Sequence, residues 1–399
     1  MLVLRGKLLK QIFSENWPQF VQEHPHIRSA IHKNVEKMIL CGTDDMGFHL
    51  YKCEKCGAEK KVPHTCKSRF CSKCGVRQTD IWIERYTTVF ANSQYQHVIF
   101  SPPSEFRQYF GIGRTPYFNA LYDSVNQTLK DWYDVKGYLP GGMDVLHTFG
   151  RDIKFHAHIH VLLTCGGLDT SQTKWITCNY LSHEFLKAHF KSHFIENIKK
   201  CWKQQDIQLI PDNLKSLFDP LYQEAIITKL TSVIWYVNIG ERLSNAEFVI
   251  RYIGRYTKRP AIAESKILSY DGKTVTFTYQ DHKTAKKAIL TLPVLTFIGK
   301  LIRHIPDIHF RIIRYFGFYA NRIRGKLLPK AFILFKQNYE KARQKLANLS
   351  SWWRERIQRL TKLDPLICST CSVPLSLISV VYATGNDPNA FRTTRAKDT

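Results

Sequence analysis

From residue 4 to about 40 apolar positions recur every three to four residues, which predicts two amphipathic helices separated by His24-Pro25-His26. The period lapses over 41–75 and returns as a helix over 76–91. An apolar strand at 95–100 follows, closed by Ser101-Pro102-Pro103. A helix over 118–133 leads through Pro140-Gly141-Gly142, which reads as a turn, to strands at 143–149 and 155–164. The short Arg151-Asp152 connection between them predicts an antiparallel pair, and Gly166-Gly167 ends the second strand. Residues 182–230 read as helical, 232–238 as a strand, and 244–259 as a helix capped by Ser244 with Glu247 three positions on. Strands at 267–270 and 274–279 flank Asp271-Gly272, a hairpin signal. From 292 onward the pattern is helical and very basic, and 384–399 has the composition of a disordered tail.

These elements describe an α+β protein. Its expected units are helices and a cysteine-rich module over 1–92, an antiparallel-sheet domain with flanking helices over 93–291, a basic helical region over 292–383, and the tail. The most informative strand is Phe155-His156-Ala157-His158-Ile159-His160-Val161-Leu162. A period of two puts its three imidazoles on one face and Phe155, Ala157, Ile159 and Val161 on the other, toward a core. Neutral imidazoles on a rigid strand can share a divalent cation with a group from a neighbouring strand. Any two neighbouring members of the three could form such a pair.

Charge adds a partner. Lys and Arg number 58 against 33 Asp and Glu, a formal net charge of +25, which points to a polyanion. Aromatic residues make up 13% of the chain, many interleaved with Arg and Lys, which favours nucleic acid with exposed bases. No apolar run reaches the length needed to span a bilayer, and the first residues do not read as a secretory signal. Eleven cysteines without an export signal suggest metal thiolates in a reducing cytoplasm.

Cys53-x2-Cys56 and Cys71-x2-Cys74 have the form of two knuckles gripping one tetrahedral Zn²⁺. A segment so poor in apolar residues needs such a metal to fold. Cys41, His49, His64 and Cys66 have the composition of a second site, whereas Cys368-x2-Cys371 is a lone knuckle with no partner pair nearby. In the predicted helix, Tyr252 and Tyr256 lie four apart, so both hydroxyls project from one face, flanked by Arg251, Arg255, Lys258 and Arg259. A phenol can attack a phosphodiester when a divalent cation polarises the phosphoryl oxygen.

Together these segments resemble the rolling-circle transposases of bacterial insertion sequences in the HUH (His-hydrophobic-His) endonuclease class, in the branch with a zinc-binding N-terminal domain. The resemblance runs from Tyr51-Lys52-Cys53 through the second knuckle, the Ser101-Pro102-Pro103 exit, the histidine strand and the tyrosine helix to Gly317-Phe318-Tyr319-Ala320-Asn321-Arg322. Ala157 stands where the family often has proline. The resemblance implies an HUH endonuclease domain in which His158-Ile159-His160 is the motif and Tyr252 and Tyr256 are nucleophiles. It implies Mg²⁺ or Mn²⁺ held by His158, His160 and a third ligand for which His156 and His147 are the candidates, structural Zn²⁺, and DNA as partner, mainly single-stranded transposon ends and target DNA. The expected reaction nicks and rejoins a strand through a 5′-phosphotyrosine, in a cytoplasmic, nucleoid-associated protein. Arg322 joins the basic residues expected to contact DNA, with Arg311, Arg314, Arg324, Lys326 and Lys330 as further phosphate neighbours. Two other readings are a plasmid or phage replication initiator or relaxase with the same chemistry, and a non-catalytic zinc-ribbon DNA-binding regulator. The second gives no reason for the histidines and the tyrosine pair to coexist.

Overall fold

The computed structural model describes residues 8–112, 114–150, 152–178, 180–281, 284, 286–349, 353–383 and 391–395. Helices Leu8–Glu23 and Ser29–Ile39 turn Leu9, Ile12, Phe13, Trp17 and Phe20 inward at helical spacing, against Phe297, Ile298 and Leu301 of helix Val294–Ile302. Strands β1 (Gly47–Lys52) and β2 (Glu59–Pro63) form an antiparallel hairpin, and helix Ser72–Val89 follows. Next come β3 (Tyr95–Ser101), helix Arg114–Lys136, the long pair β4 (Tyr138–Phe149) and β5 (Phe155–Asp169), and β6 (Trp175–Thr177). Helices His183–Gln204 and Pro220–Ser232 lead to β7 (Tyr236–Leu243), and then to helix Glu247–Thr257. Strands β8 (Ile267–Tyr270), β9 (Thr274–Gln280) and β10 (Lys287–Pro293) make a separate three-stranded sheet. After β11 (Ile313–Gly317) come helices Arg324–Leu334, Tyr339–Ala347 and Trp353–Thr361, then β12 (Ser376–Ala383) and β13 (Phe391–Arg395).

The central sheet has the order β11-β4-β5-β3-β7 with β6 on β5, and its described pairings are antiparallel. The alternation of β5 divides two cores. Ala157, Ile159, Val161 and Leu163 pack under helices Arg114–Lys136 and His183–Gln204, through residues such as Leu121 and Phe190. On the opposite face Leu162 meets Trp82, Ile83, Val249 and Ile253, so helices Ser72–Val89 and Glu247–Thr257 cover the side that bears the histidines. The mixed helical and antiparallel-sheet class agrees with the α+β expectation.

Four local expectations are corrected. Pro140-Gly141-Gly142 lies inside β4, where a Cβ on either glycine would collide with the rings of Phe318 and Phe316 after β4 pairs with β11; the glycines make room for rings and do not turn the chain. The region after 292 carries helices but also β11, which extends the central sheet, and β12, which pairs with β1. Ser244 is not the cap of the tyrosine helix; that helix starts at Glu247, whose N–H donates to Asn245 Oδ1 at 2.9 Å. Within the stretch expected to be a disordered tail, 391–395 pairs with β12 as β13, and 384–390 and 396–399 lie outside the described residues.

Candidate active site and metal centres

On β4 and β5, His147 and His158 are register partners, so their side chains share a face with His160. One ring nitrogen from each of His147, His158 and His160 lies within 4.8 Å of the other two. His156, expected as a ligand, is not in this group. Three alternate positions on one strand span about 13 Å, too far to converge on one ion, whereas a cross-strand neighbour is close to both members of a pair. The carbonyl of His156 has a different part: it lies 2.8 Å from His158 Nδ1. A carbonyl only accepts, so Nδ1 carries the proton and Nε2 keeps its lone pair for a ligand. His160 Nδ1 in turn lies 2.8 Å from Nε2 of His97 on β3, which leaves His160 Nε2 as its outward nitrogen. Burial holds these rings neutral, with His158 lowered to about 3, His97 to about 4, and His147 and His160 also well below the ordinary imidazole value.

Tyr252 reaches this cluster from the helix above. Its ring centroid lies 5.8 Å from that of His97 and 5.9 Å from that of His160, and the residue is 36% exposed. The apolar stripe Val249, Ile250 and Ile253 anchors the helix on the sheet, and Gly254 allows close crossing with helix Ser72–Val89: a Cβ there would stand 2.9 Å from Trp82 Cε3. Tyr256 lies one turn further along the same helix, with its side chain outside the described residues.

The expected DNA contacts divide. Arg251 and Arg255 are exposed, with Arg251 paired to Glu247 at 2.7 Å, and Arg322 is exposed too. Arg259 Nε donates to Thr79 Oγ1 at 3.3 Å, and the Lys258 ammonium is lowered by burial and by nearby Arg69. Arg314 does not stand free for phosphate: its guanidinium lies 3.9 Å from the Tyr122 ring centroid and donates to Asn119. Sequence reasoning missed His97, whose distance from the histidine motif hides their pairing. It also missed Arg69, whose guanidinium is lowered to about 10 by burial, donates to the His304 carbonyl at 3.3 Å, and further depresses His147.

The cysteines regroup. Cys71 and Cys74 gather with Cys41 and Cys66, whose sulfurs all lie within 4.8 Å, with Sγ–Sγ separations of 3.6 Å for Cys41–Cys74 and Cys66–Cys74 and 3.8 Å for Cys41–Cys71. Those spacings match the edge of a tetrahedron with zinc–sulfur bonds of about 2.3 Å, roughly 3.8 Å, and exclude disulfides of about 2.05 Å. Cys41 is pulled far below the usual thiol value by the neighbouring S–H groups of Cys66, Cys71 and Cys74, and the Cys66 backbone N–H adds a bond at 3.3 Å. The expected set of Cys53, Cys56, Cys71 and Cys74 is therefore split. The Cys53-x2-Cys56 knuckle is the turn of the β1–β2 hairpin, and six residues of strand carry it roughly 20 Å from the hairpin base where Cys41 and Cys66 sit. Nor do His49 and His64 join Cys41 and Cys66; they face each other at 3.0 Å between His49 Nδ1 and His64 Nε2.

Against this geometry, a family model described as "Transposase zinc-binding domain" matches residues 12–102, and one described as "Putative transposase" matches residues 141–326. The first spans the Cys41 cluster and the second spans both the histidines and the tyrosine helix. The chain belongs to the insertion-sequence transposases. It is 29% identical over 370 residues to the transposase for insertion sequence element IS801 of Pseudomonas savastanoi pv. phaseolicola, covering 91% of this chain and 87% of that one. It is 25% identical over 373 residues to "Putative transposase y4qJ" of Sinorhizobium fredii (strain NBRC 101917 / NGR234), covering 92% and 93%. No solved structure matches it significantly. As a transposase it acts on DNA, and its N-terminal module is a zinc-binding domain with the Cys41 cluster as a fitting thiolate site. No helix among the described residues is long and apolar enough to cross a membrane.

Proposed function

We propose that this transposase nicks and rejoins single-stranded DNA at the ends of its element through a 5′-phosphotyrosine. The observation that carries the reading is the seat of Tyr252 beside the neutral three-histidine cluster, at 5.9 Å from His160 between ring centroids. His147, His158 and His160 would hold the cation, and an all-imidazole donor set favours Mn²⁺ over Mg²⁺, which prefers oxygen ligands. Bound there, a divalent ion supplies a Lewis acid for the phosphoryl oxygen. The Tyr252 oxygen forms a bond to phosphorus, the bond from phosphorus to the 3′-oxygen breaks, and the proton given up by the phenol passes through solvent to the departing 3′-oxygen. Energy of the broken phosphodiester stays in the new ester, so rejoining needs no nucleotide triphosphate. Tyr256, one helical turn away, accepts the second strand. Exposed Arg251, Arg255 and Arg322 hold backbone phosphates.

The test uses labelled single strands from the element ends with Mn²⁺. Wild-type protein is expected to form a denaturation-resistant adduct with the 5′ end that the cut creates, and the Tyr252→Phe, Tyr256→Phe double variant to bind DNA and form none. An adduct of undiminished yield in the double variant would overturn the mechanism.

A further inference from the structure

The second group of sulfurs joins distant parts of the chain. Cys53, Cys56, Cys368 and Cys371 each place Sγ within 4.8 Å of the others, and Cys56 and Cys368, 312 residues apart, are 3.7 Å apart at sulfur. That distance again excludes a disulfide and fits the tetrahedral edge of about 3.8 Å for zinc–thiolate bonds.

The two Cys-x2-Cys segments repeat one backbone motif. In the first, Cys53 N–H donates to the Ala58 carbonyl at 2.8 Å, Gly57 N–H donates to the Cys53 carbonyl at 2.8 Å, and Gly57 has φ +75°. In the second, Cys368 N–H donates to the Val373 carbonyl at 2.8 Å, Ser372 N–H donates to the Cys368 carbonyl at 2.9 Å, and Ser372 has φ +55°. Serine occupies that left-handed region at a cost of about 1 kcal/mol, so the tight turn is imposed by something beyond local preference. The strands that follow bring the turns together: β12 pairs with β1, with Ser376 opposite Lys52, and Ser376 Oγ donates to Glu54 Oε1 at 2.7 Å.

We infer that Cys53, Cys56, Cys368 and Cys371 bind a second structural Zn²⁺, separate from the one at Cys41, Cys66, Cys71 and Cys74, and that this ion locks the C-terminal strand β12 onto the N-terminal module. The four-stranded sheet β13-β12-β1-β2 is then a zinc ribbon assembled from the two ends of the described chain. The thiolate set suits zinc and excludes magnesium, and it leaves Cys165, Cys178 and Cys201 as the cysteines outside both sites.

Full-length protein purified under reducing conditions and reconstituted with Zn²⁺ is expected to hold two ions per chain by elemental analysis. The Cys368→Ser, Cys371→Ser variant is expected to hold one, as is Cys41→Ser, Cys66→Ser. One zinc in the wild type, or two in the Cys368→Ser, Cys371→Ser protein, would overturn the inference. A second measurement needs no variant: residue-resolved alkylation of the native zinc-loaded protein. Cys368 and Cys371 are expected to react at least tenfold faster after chelation, while the half-buried thiol at Cys201, outside both sites, is unmoved. Equal rates at Cys368 and Cys371 with and without chelator, alongside protection at Cys41 and Cys66, would show a single zinc and reject the second.

Discussion

His147 and His156 flank the same histidine pair, yet the geometry gives them unequal work. His147 contributes a ring nitrogen to the cluster, while His156 acts on His158 through its carbonyl, which any residue supplies. His147→Ala is therefore expected to weaken Mn²⁺ binding by ten- to a hundredfold, and His156→Ala by less than threefold, as read by metal titration of DNA cleavage. The reverse order would restore His156 as the ligand. A second residue-scale prediction concerns Asp144, fully buried on β4 between Val161 and Arg314, where burial pushes its carboxyl up to about 7 against the pull of Asn126 and Arg314. A folded value raised above the unfolded one means stability that is fully present below about pH 4 and lost as pH rises through about 7. Asp144→Asn should remove that loss: between pH 5 and 8.5 the melting temperature of the wild type should fall more than that of the variant, by an amount on the order of a few kcal/mol in stability. Equal falls would show Asp144 ionised throughout. The alternation of His156, His158 and His160 was legible because a period of two states a shared face outright. The choice between His147 and His156 was not, nor was the part of His97, since strand pairing brings in His147 and His97 from β4 and β3, and spacing along one strand says nothing of its neighbours.

At the scale of elements, the zinc module and the tyrosine helix are mechanically one. The Cys71–Cys74 knuckle opens helix Ser72–Val89, and that helix crosses the tyrosine helix at Gly254. Gly254→Ala places a methyl against Trp82 and Ile83, so it should cost about 1–3 kcal/mol and slow adduct formation by shifting Tyr252, with metal affinity at the histidines nearly unchanged. Thermal melts and adduct rates check it; a slower rate without any loss of stability would point away from packing. Helical stretches such as 8–23 and 183–204 were readable from their 3.6-residue period, and the β4–β5 pair from its short connection. β11 was not, because five residues beside basic neighbours carry no clear period and are fixed by their partner β4; β12 has the β-branched composition of a strand, but its pairing with β1, more than 300 residues away, leaves no local trace. The glycines of β4 misled for a related reason: in sequence a Pro-Gly-Gly run reads as a turn, and only the aromatic rings brought by β11 explain it.

Over the whole molecule, a net charge of +25 makes association with DNA a problem of counterions. Arg322, Arg324 and Lys326 are exposed at the start of helix Arg324–Leu334, unlike Arg314 in its aromatic sandwich. Reversing those three charges should reduce the slope of log affinity against log salt by about two for single strands, while Arg314→Gln should leave the slope alone and lower the melting temperature. A slope that moves only with Arg314 would invert this division of labour. The pairing of β12 with β1 bears on how the protein is made. Residues 376–383 leave the ribosome roughly 16 to 65 s after 47–52 at about 5–20 residues per second, and until then the hairpin that carries Cys53 and Cys56 has an unpaired edge and half a ligand set. Nascent chains interrupted before residue 368 would lack Cys368, Cys371 and β12, and so would be born with an unfinished N-terminal module although every arginine and lysine assigned to DNA had already been made.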